Sequence, residues 1–290
     1  MKVLITGAKG MLGQAMLDVF ADSDPIGVDL AELDITKPQE ISRALELYRP
    51  SAVINCAAYT AVDDCEVKEK EELASRINGT AVGYLAKATE VHKIPLVHIS
   101  TDYIFSGTNP DGYAEDYPPG PPVNAYGRTK LHGEEQLIRN ASRHYLVRTS
   151  WLYGAGGPSA SSGGPNNFVE TMIRLGETKP ELQVVNDQHG KPTYTRDLAG
   201  FIKRLLVDRA PYGVYHGVNE QATTWFDFTQ EIFRQTGCST PIKPCSSEAF
   251  PRPAKRPEWS ILLNTKQPLL RPWTEALRDY LHEVGYSAGG

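Results

Sequence analysis

Cysteine is scarce. The 290 residues hold four, Cys56, Cys65, Cys238 and Cys245. No two form a CxxC pair, so zinc-ligand spacing is absent, and a chain of this size has no need of a disulfide framework. Reduced thiols, in the core or at the surface, are expected. Long apolar runs are also missing; nothing approaches the stretch a membrane span requires. Basic charge is not in excess, with Lys+Arg 30 against Asp+Glu 35 and a formal net charge of -5. That is not the electrostatic footprint of a nucleic-acid binder. A secretory layout is lacking as well, because Lys2-Val3-Leu4-Ile5 enters a strand pattern at once. Neither a membrane nor a nucleic acid is therefore expected as a partner, and a cytoplasmic location is expected.

The composition that remains is ordinarily globular, 40% hydrophobic and 22% charged, with 25 Gly and 21 Pro. The length sits near the size at which one core stops growing, which predicts a large domain with a smaller lobe attached. In the first half strand-like and helix-like segments alternate. Apolar runs at Val3–Thr6, Pro25–Asp29, Ala52–Cys56, Pro95–Ile99 and Tyr145–Arg148 read as strands. Met11–Phe20, Pro38–Tyr48, Asp63–Val91 and Asn124–Arg139 read as helices. Strands that are apolar throughout, separated by helices, predict an α/β fold: a doubly wound parallel sheet of Rossmann type covered on both faces. After Trp151 the pattern loosens into a Gly/Pro/Ser loop at 154–165. Helices are expected near 167–175, 196–207, 225–236 and 273–283, and strands near 182–185 and 214–216. Residues 1–150 are accordingly read as an NAD(P)-binding domain. Residues 151–290 are read mainly as a smaller α/β substrate-binding lobe, with some elements returning to the core. No internal repeat is visible.

Gly7-Ala8-Lys9-Gly10-Met11-Leu12-Gly13 lies between the first strand and the first helix. Glycines there permit backbone conformations that a Cβ forbids and a close approach to a pyrophosphate. The helix N-terminus offers N–H groups and the positive end of its dipole. Asp29 ends the second strand, about 20 residues on, where a ribose-binding acid belongs. An ionised Asp29 would repel a 2′-phosphate while Lys9 would attract one, so NADH and NADPH both remain open. Asp34-Ile35 is placed to flank the adenine, and Cys56-Ala57-Ala58-Tyr59 ends the third strand, where small residues let a cofactor lie close.

Tyr126 and Lys130 form a YxxxK pair that shares one helix face. An ammonium beside a phenol favours phenolate, making the tyrosine a usable acid or base. The fourth strand ends in Ser100-Thr101-Asp102, at the sheet edge where ligands bind in such folds, and Thr101 can bond the same reacting oxygen. The three features together, glycine turn, hydroxyl residue and YxxxK, are far more specific than any one of them.

These residues resemble the extended short-chain dehydrogenase/reductases, and within them the dTDP-4-dehydrorhamnose reductases, over nearly the whole chain. The resemblance rests on Ser100-Thr101-Asp102-Tyr103-Ile104-Phe105-Ser106-Gly107, Asn124-Ala125-Tyr126-Gly127-Arg128-Thr129-Lys130 and Arg148-Thr149-Ser150-Trp151-Leu152-Tyr153-Gly154. It extends to Asn167-Phe168-Val169, to the stretch from Asn186 to Thr193, and to Arg256-Pro257. It implies hydride transfer from NAD(P)H to the 4-keto group of dTDP-6-deoxy-L-lyxo-4-hexulose, giving dTDP-L-rhamnose. Tyr126 would give the proton, Lys130 would hold the nicotinamide ribose, and Thr101 would stabilise the oxyanion. Thr101, Asp102, Tyr103, Asn124, Tyr126, Trp151, Asn167 and Arg256 are the implied substrate contacts. Trp151 is open to a second reading as a core residue, and Arg256 to one as a structural ion pair. Two departures stand out: the loop at 154–165 is longer than the family's turn, lid or not, and Leu263 stands where an aspartate is usual. A dehydratase or epimerase shares the cofactor lobe and YxxxK, but dehydratases carry Glu after Thr-Asp where this chain has Tyr103. A non-catalytic regulatory subunit similar to that of methionine adenosyltransferase is the other alternative. No metal set is indicated; a role for Mg and a homodimeric assembly are left open.

Overall fold

The computed structural model describes residues 1–157, 167–266 and 268–286. Along the chain come β1 (Val3–Thr6), α1 (Met11–Val19), β2 (Pro25–Val28), α2 (Pro38–Tyr48), β3 (Ala52–Asn55), α3 (Lys68–Ser75), α4 (Ala81–His92), β4 (Leu96–Thr101), α5 (Ala125–Asn140) and β5 (His144–Thr149). Then follow β6 (Leu152–Tyr153), α6 (Phe168–Thr178), β7 (Leu182–Val185), β8 (His189–Gly190), β9 (Thr193–Tyr194), α7 (Thr195–Val207), β10 (Gly213–His216), β11 (Thr223–Thr224), α8 (Trp225–Thr236), β12 (Ile242–Cys245) and α9 (Trp273–Glu283).

Six strands make one parallel sheet in the order β10-β5-β4-β3-β1-β2. The residues of β1, β3 and β4 are buried on both faces, which is why those strands read as apolar runs rather than alternations. One face packs on α1 and α7, through Leu12, Ala15 and Met16 with Leu198, Phe201, Ile202 and Leu205. The other packs on α2, α4 and α5, through Ile41, Leu45, Val82, Leu85 and Leu137. A separate aromatic-rich cluster joins α6, α8 and α9, including Val169, Phe228, Trp273 and Tyr280. The sixth strand, β10, and the covering helix α7 both come from beyond residue 151, so the sheet layer draws on both halves of the chain.

The expected single helix over 63–91 is broken. A short turn at Asp64–Glu66 precedes α3, and a π-turn at Arg76–Thr80 joins α3 to α4. The cause is close packing on α5. A Cβ on Gly79 would meet the His132 ring at 2.2 Å, and one on Gly133 would meet Asn78 O at 2.1 Å. Asn78, inside the π-turn, accepts from Tyr59 N at 2.8 Å and donates to Tyr59 O and Thr129 Oγ1, both at 3.0 Å. The irregular turn thereby ties the loop after β3 to the helix that carries YxxxK.

Candidate active site

Gly7 lies at φ +66, and a Cβ there would fall 2.6 Å from Ala57 N. The β1–α1 turn and the end of β3 thus approach closer than any side chain allows. Gly13 has a packing role instead: its Cβ would meet Gly7 O at 2.2 Å, so only glycine lets α1 lie down on the turn. Gly10 caps α1 without a side-chain hydrogen bond, leaving the first-turn N–H groups to whatever fills the space before them. That space is a cleft of ≈ 1150 Å³. It is lined by Gly7, Lys9, Gly10, Asp29, Asp34, Ile35, Cys56, Ala57 and Ala58 among the expected residues.

Asp29 is held as an acceptor by two backbone donors, Lys9 N at 2.9 Å and Leu30 N at 2.8 Å. The Lys9 ammonium lies 3.9 Å from Glu32, which also accepts from Asp29 N at 3.0 Å. Asp34 accepts from Thr36 N and Oγ1, and the Thr36 hydroxyl holds its carboxyl below the usual range. The narrowed turn, the bare helix N-terminus and the acid at the end of β2 fit a dinucleotide.

Six expected cofactor residues do not line this cleft, Tyr126 and Lys130 among them. Leu12 packs into the core, Gly13 sits under the turn, and Met11 Sδ receives the Asn167 amide at 4.0 Å. Tyr59 clusters with Cys65, Ala125 and Tyr126. Conversely, Gln14, Leu33, Thr36, Arg76, Thr80 and Tyr84 line the cleft without having shown any motif. Three of them, Arg76, Thr80 and Tyr84, reach it only because the π-turn and α4 fold across from β2.

Thr101 ends β4, and Asn124 opens α5 by accepting from Gly127 N at 2.8 Å. This cap puts Tyr126 in the first helical turn and Lys130 one turn on. Lys130 is 2% exposed. Its ammonium donates to Ile99 O at 2.6 Å, and it interacts with the thiol of Cys56 in the cleft wall. Burial brings Lys130 down to about 8, against the opposing field of Glu134. Tyr126 and Lys130 are also absent from the lining of the cleft itself; Cys56 connects the two regions.

The expected effect of the lysine on the phenol is corrected here. Burial, reinforced by Asp102, pushes Tyr126 above the ordinary tyrosine value, and the opposing influence comes from the Thr101 side chain rather than from Lys130. The ammonium is instead committed to a strand carbonyl.

On the substrate side the structure gives several expected residues structural partners. The Asn124 amide donates to Lys255 O at 2.8 Å. Asn167 caps α6, accepting from Glu170 N at 3.1 Å, and donates to Gly154 O at 3.0 Å and Tyr280 Oη at 2.9 Å. Arg256 pairs with Asp63, with Nη2 3.0 Å from Oδ2, and also bonds the Tyr103 side chain. It is thus an ion pair whose free edge is small. Tyr103 stands edge-on to Tyr126, ring centres 5.9 Å apart.

Trp151 takes φ +47, a strained choice for a bulky residue. Its ring stacks on Trp225 at 3.6 Å, and Gly190 leaves room for it, since a Cβ there would meet the ring at 2.5 Å. Trp225, which sequence reasoning passed over, is fixed by donating to Gln188 Oε1 at 3.1 Å. Gly157 reaches the cleft, while the rest of the loop expectation, residues 158–165, falls outside the described residues.

Behind the YxxxK face lies a buried polar tier. Glu134 accepts from Ser100 Oγ at 2.5 Å and from Arg148 Nε and Nη2 at 3.1 and 2.9 Å. Next to Arg148, burial drives His216 down to about 3. Ser100, Arg148 and His216 are register partners across β4, β5 and β10, so one row of the sheet carries the charge that faces α5.

A family model described as the RmlD substrate binding domain matches residues 1–286. A probable dTDP-4,6-dihydroxy-2-methyloxan-3-one 4-ketoreductase of Streptomyces antibioticus is 40% identical, covering 98% of this chain and 96% of that protein. Among solved structures, a dTDP-4-dehydrorhamnose reductase of Clostridium acetobutylicum is 41% identical with a TM-score of 0.91, covering 98% of this chain and 99% of that one. A dTDP-4-dehydrorhamnose reductase of Bacillus anthracis in complex with NADP is 37% identical with a TM-score of 0.90, covering 97% and 99%.

Proposed function

This chain belongs to the family of the RmlD substrate binding domain, and from that premise we propose that it is a dTDP-4-dehydrorhamnose reductase, reducing the 4-keto group of a dTDP-6-deoxy-hexulose to give dTDP-L-rhamnose. The observation that carries this reading is the placement of Thr101, Tyr126 and the buried Lys130 at the carboxyl edge of the sheet, next to a glycine-narrowed cleft whose wall includes Cys56. The nicotinamide dinucleotide, NADPH or NADH, supplies hydride when bound. Gly7 and Gly10 admit its pyrophosphate, Asp29 bonds the adenosine ribose, and Asp34 and Ile35 flank the adenine. Lys130 holds the nicotinamide ribose. Tyr126 gives the proton on Oη to the keto oxygen; its raised affinity for that proton keeps it in the acid form needed for reduction. Residues 1–150 serve mainly the cofactor, and residues 151–290 mainly the sugar nucleotide, with Trp151 and Trp225 as its aromatic wall.

The chain has no described helix long and apolar enough to cross a membrane. Its four cysteines are free thiols, which suits a reducing cytoplasm. The test is keto-sugar-dependent oxidation of NADH and of NADPH by purified protein, with product configuration assigned by NMR. Stoichiometric oxidation yielding the L-rhamno product supports the reading. Product without net cofactor oxidation indicates an epimerase or dehydratase, and binding without turnover indicates a regulatory subunit. Because the Streptomyces antibioticus relative is named for a 4-keto sugar with one ring hydroxyl fewer, turnover of a deoxygenated keto sugar in place of the hexulose would keep the chemistry and change the substrate.

A further inference from the structure

Thr101 has one hydroxyl proton. In the structure its Oγ1 accepts from Tyr103 N at 3.2 Å and donates to Asp102 Oδ1 at 2.9 Å. The Tyr126 phenol bears on the same hydroxyl. If Asp102 is a carboxylate, it can only accept, so Thr101 must direct its proton there and offers the reacting oxygen nothing but a lone pair. An oxyanion growing at that point would then meet a repulsive partner instead of a donor.

Asp102 itself is 2% exposed. Its Oδ2 has no hydrogen-bond partner among the described residues, although the Ser260 side chain faces the carboxyl; the Ser260 hydroxyl donates to His189 O at 3.3 Å. A buried carboxylate with an oxygen left bare is expensive, whereas a neutral carboxyl in the same place has a proton to give.

We propose, on the reading of the site as a ketone reductase, that Asp102 is a positioning acid: as a neutral carboxyl it donates across the 2.9 Å contact to Thr101, which turns the Thr101 proton toward the substrate oxygen. In this role Asp102 acts through the direction it sets for the Thr101 hydroxyl. Burial moves the Asp102 carboxyl up to about 6, against hydrogen bonds from Ser260, Thr101 and the backbone of Asp102 and Tyr103 that favour the charged form, and a substrate that displaces water from the site moves it further up. The titratable groups facing it are Tyr103 on its own turn and Tyr126 on α5, both raised by burial. Arg256 lies beyond Tyr103 and is paired with Asp63. Thr101 on β4 and Ser260 on the C-terminal segment contribute hydroxyls.

The experiment compares kcat/KM for reduction across pH in the wild type, Asp102→Asn, Thr101→Ala and the double variant. In the wild type, the rate declines by about tenfold per pH unit once the carboxyl ionises. In Asp102→Asn the carboxamide N–H₂ donates to Thr101 at every pH, so this decline is absent and only the later one set by Lys130, near pH 8, remains. In Thr101→Ala the rate is lower and the same decline is absent, and adding Asp102→Asn changes nothing further. An Asp102→Asn profile that keeps the wild-type decline overturns the proposal. So does a double variant whose losses multiply. A readout without turnover separates this from the reductase reading: infrared difference spectra of wild type against Asp102→Asn should show a protonated carboxyl persisting toward neutral pH. Its absence sinks the positioning role even if the protein reduces the keto sugar. Its presence in a protein inert to every keto sugar sinks the reductase reading, and with it the role proposed for the acid.

Discussion

Replacing Glu134 with Gln keeps the shape of the side chain and removes its charge. Arg148 is 3% exposed, and its Nε and Nη2 donate to Glu134 at 3.1 and 2.9 Å, with Ser100 Oγ bound to the same carboxylate at 2.5 Å. Glu134→Gln leaves the guanidinium buried without a counter-charge, which costs about 3–5 kcal/mol. In a domain of this size that corresponds to a fall in Tm on the order of 10 °C, read by circular dichroism or calorimetry at pH 7. Lys130 gives a second readout. Glu134 opposes the burial that brings Lys130 down to about 8, so its loss moves the lysine lower still, and the alkaline decline in cofactor affinity shifts to lower pH. Glu134→Leu with Arg148→Met, which removes both charges, should recover most of the stability but not the pH profile. A Tm for Glu134→Gln within about 2 °C of wild type would refute the reasoning, as would an unmoved alkaline decline.

Gly7→Ala should weaken cofactor binding at least tenfold and destabilise the fold by about 1–3 kcal/mol, because φ is +66 and the new methyl lands 2.6 Å from Ala57 N; isothermal titration and urea unfolding check this, and wild-type affinity contradicts the cradle. Tyr126→Phe should lower kcat by about 10²- to 10⁴-fold with the cofactor Kd unchanged, and an active Phe variant removes the phenol from the mechanism. Lys130, lowered to about 8, is an ammonium below that pH and an amine above it, so cofactor affinity should decline as pH rises through about 8. Between there and the ordinary lysine value near 10.5 the unfolded chain holds the proton that the folded one has released. Stability therefore rises with pH across that window, and a Lys130→Met variant should show neither trend.

The positions of most elements were legible along the chain because each is a local matter. The strands are short apolar runs between helical repeats, Pro38 opens α2 at its first turn, and the intervals 38–48, 182–185, 225–236 and 273–283 coincide with the helices and strand found there. The glycine turn and the YxxxK spacing were legible for the same reason, since contact along one strand–turn–helix or one helix face is set by sequence separation. The misjudged helix over 63–91 failed where tertiary contact intervened: nothing local in Arg76–Thr80 announces that His132 will press on Gly79.

Composition and pattern alone thus decided the layered α/β architecture, the glycine turn and the helix face that Tyr126 and Lys130 share. Folding decided which residues face the cleft from α4, that Arg256 and Asn167 bind protein groups, that Trp225 lies against Trp151, and that burial governs both the phenol and the ammonium. The division has a physical cause. Backbone conformation and helical spacing depend on neighbours in sequence. Desolvation, ion pairing and ring stacking depend on neighbours in space: Asp63 for Arg256, Tyr280 for Asn167 and Trp225 for Trp151, each more than seventy residues away along the chain.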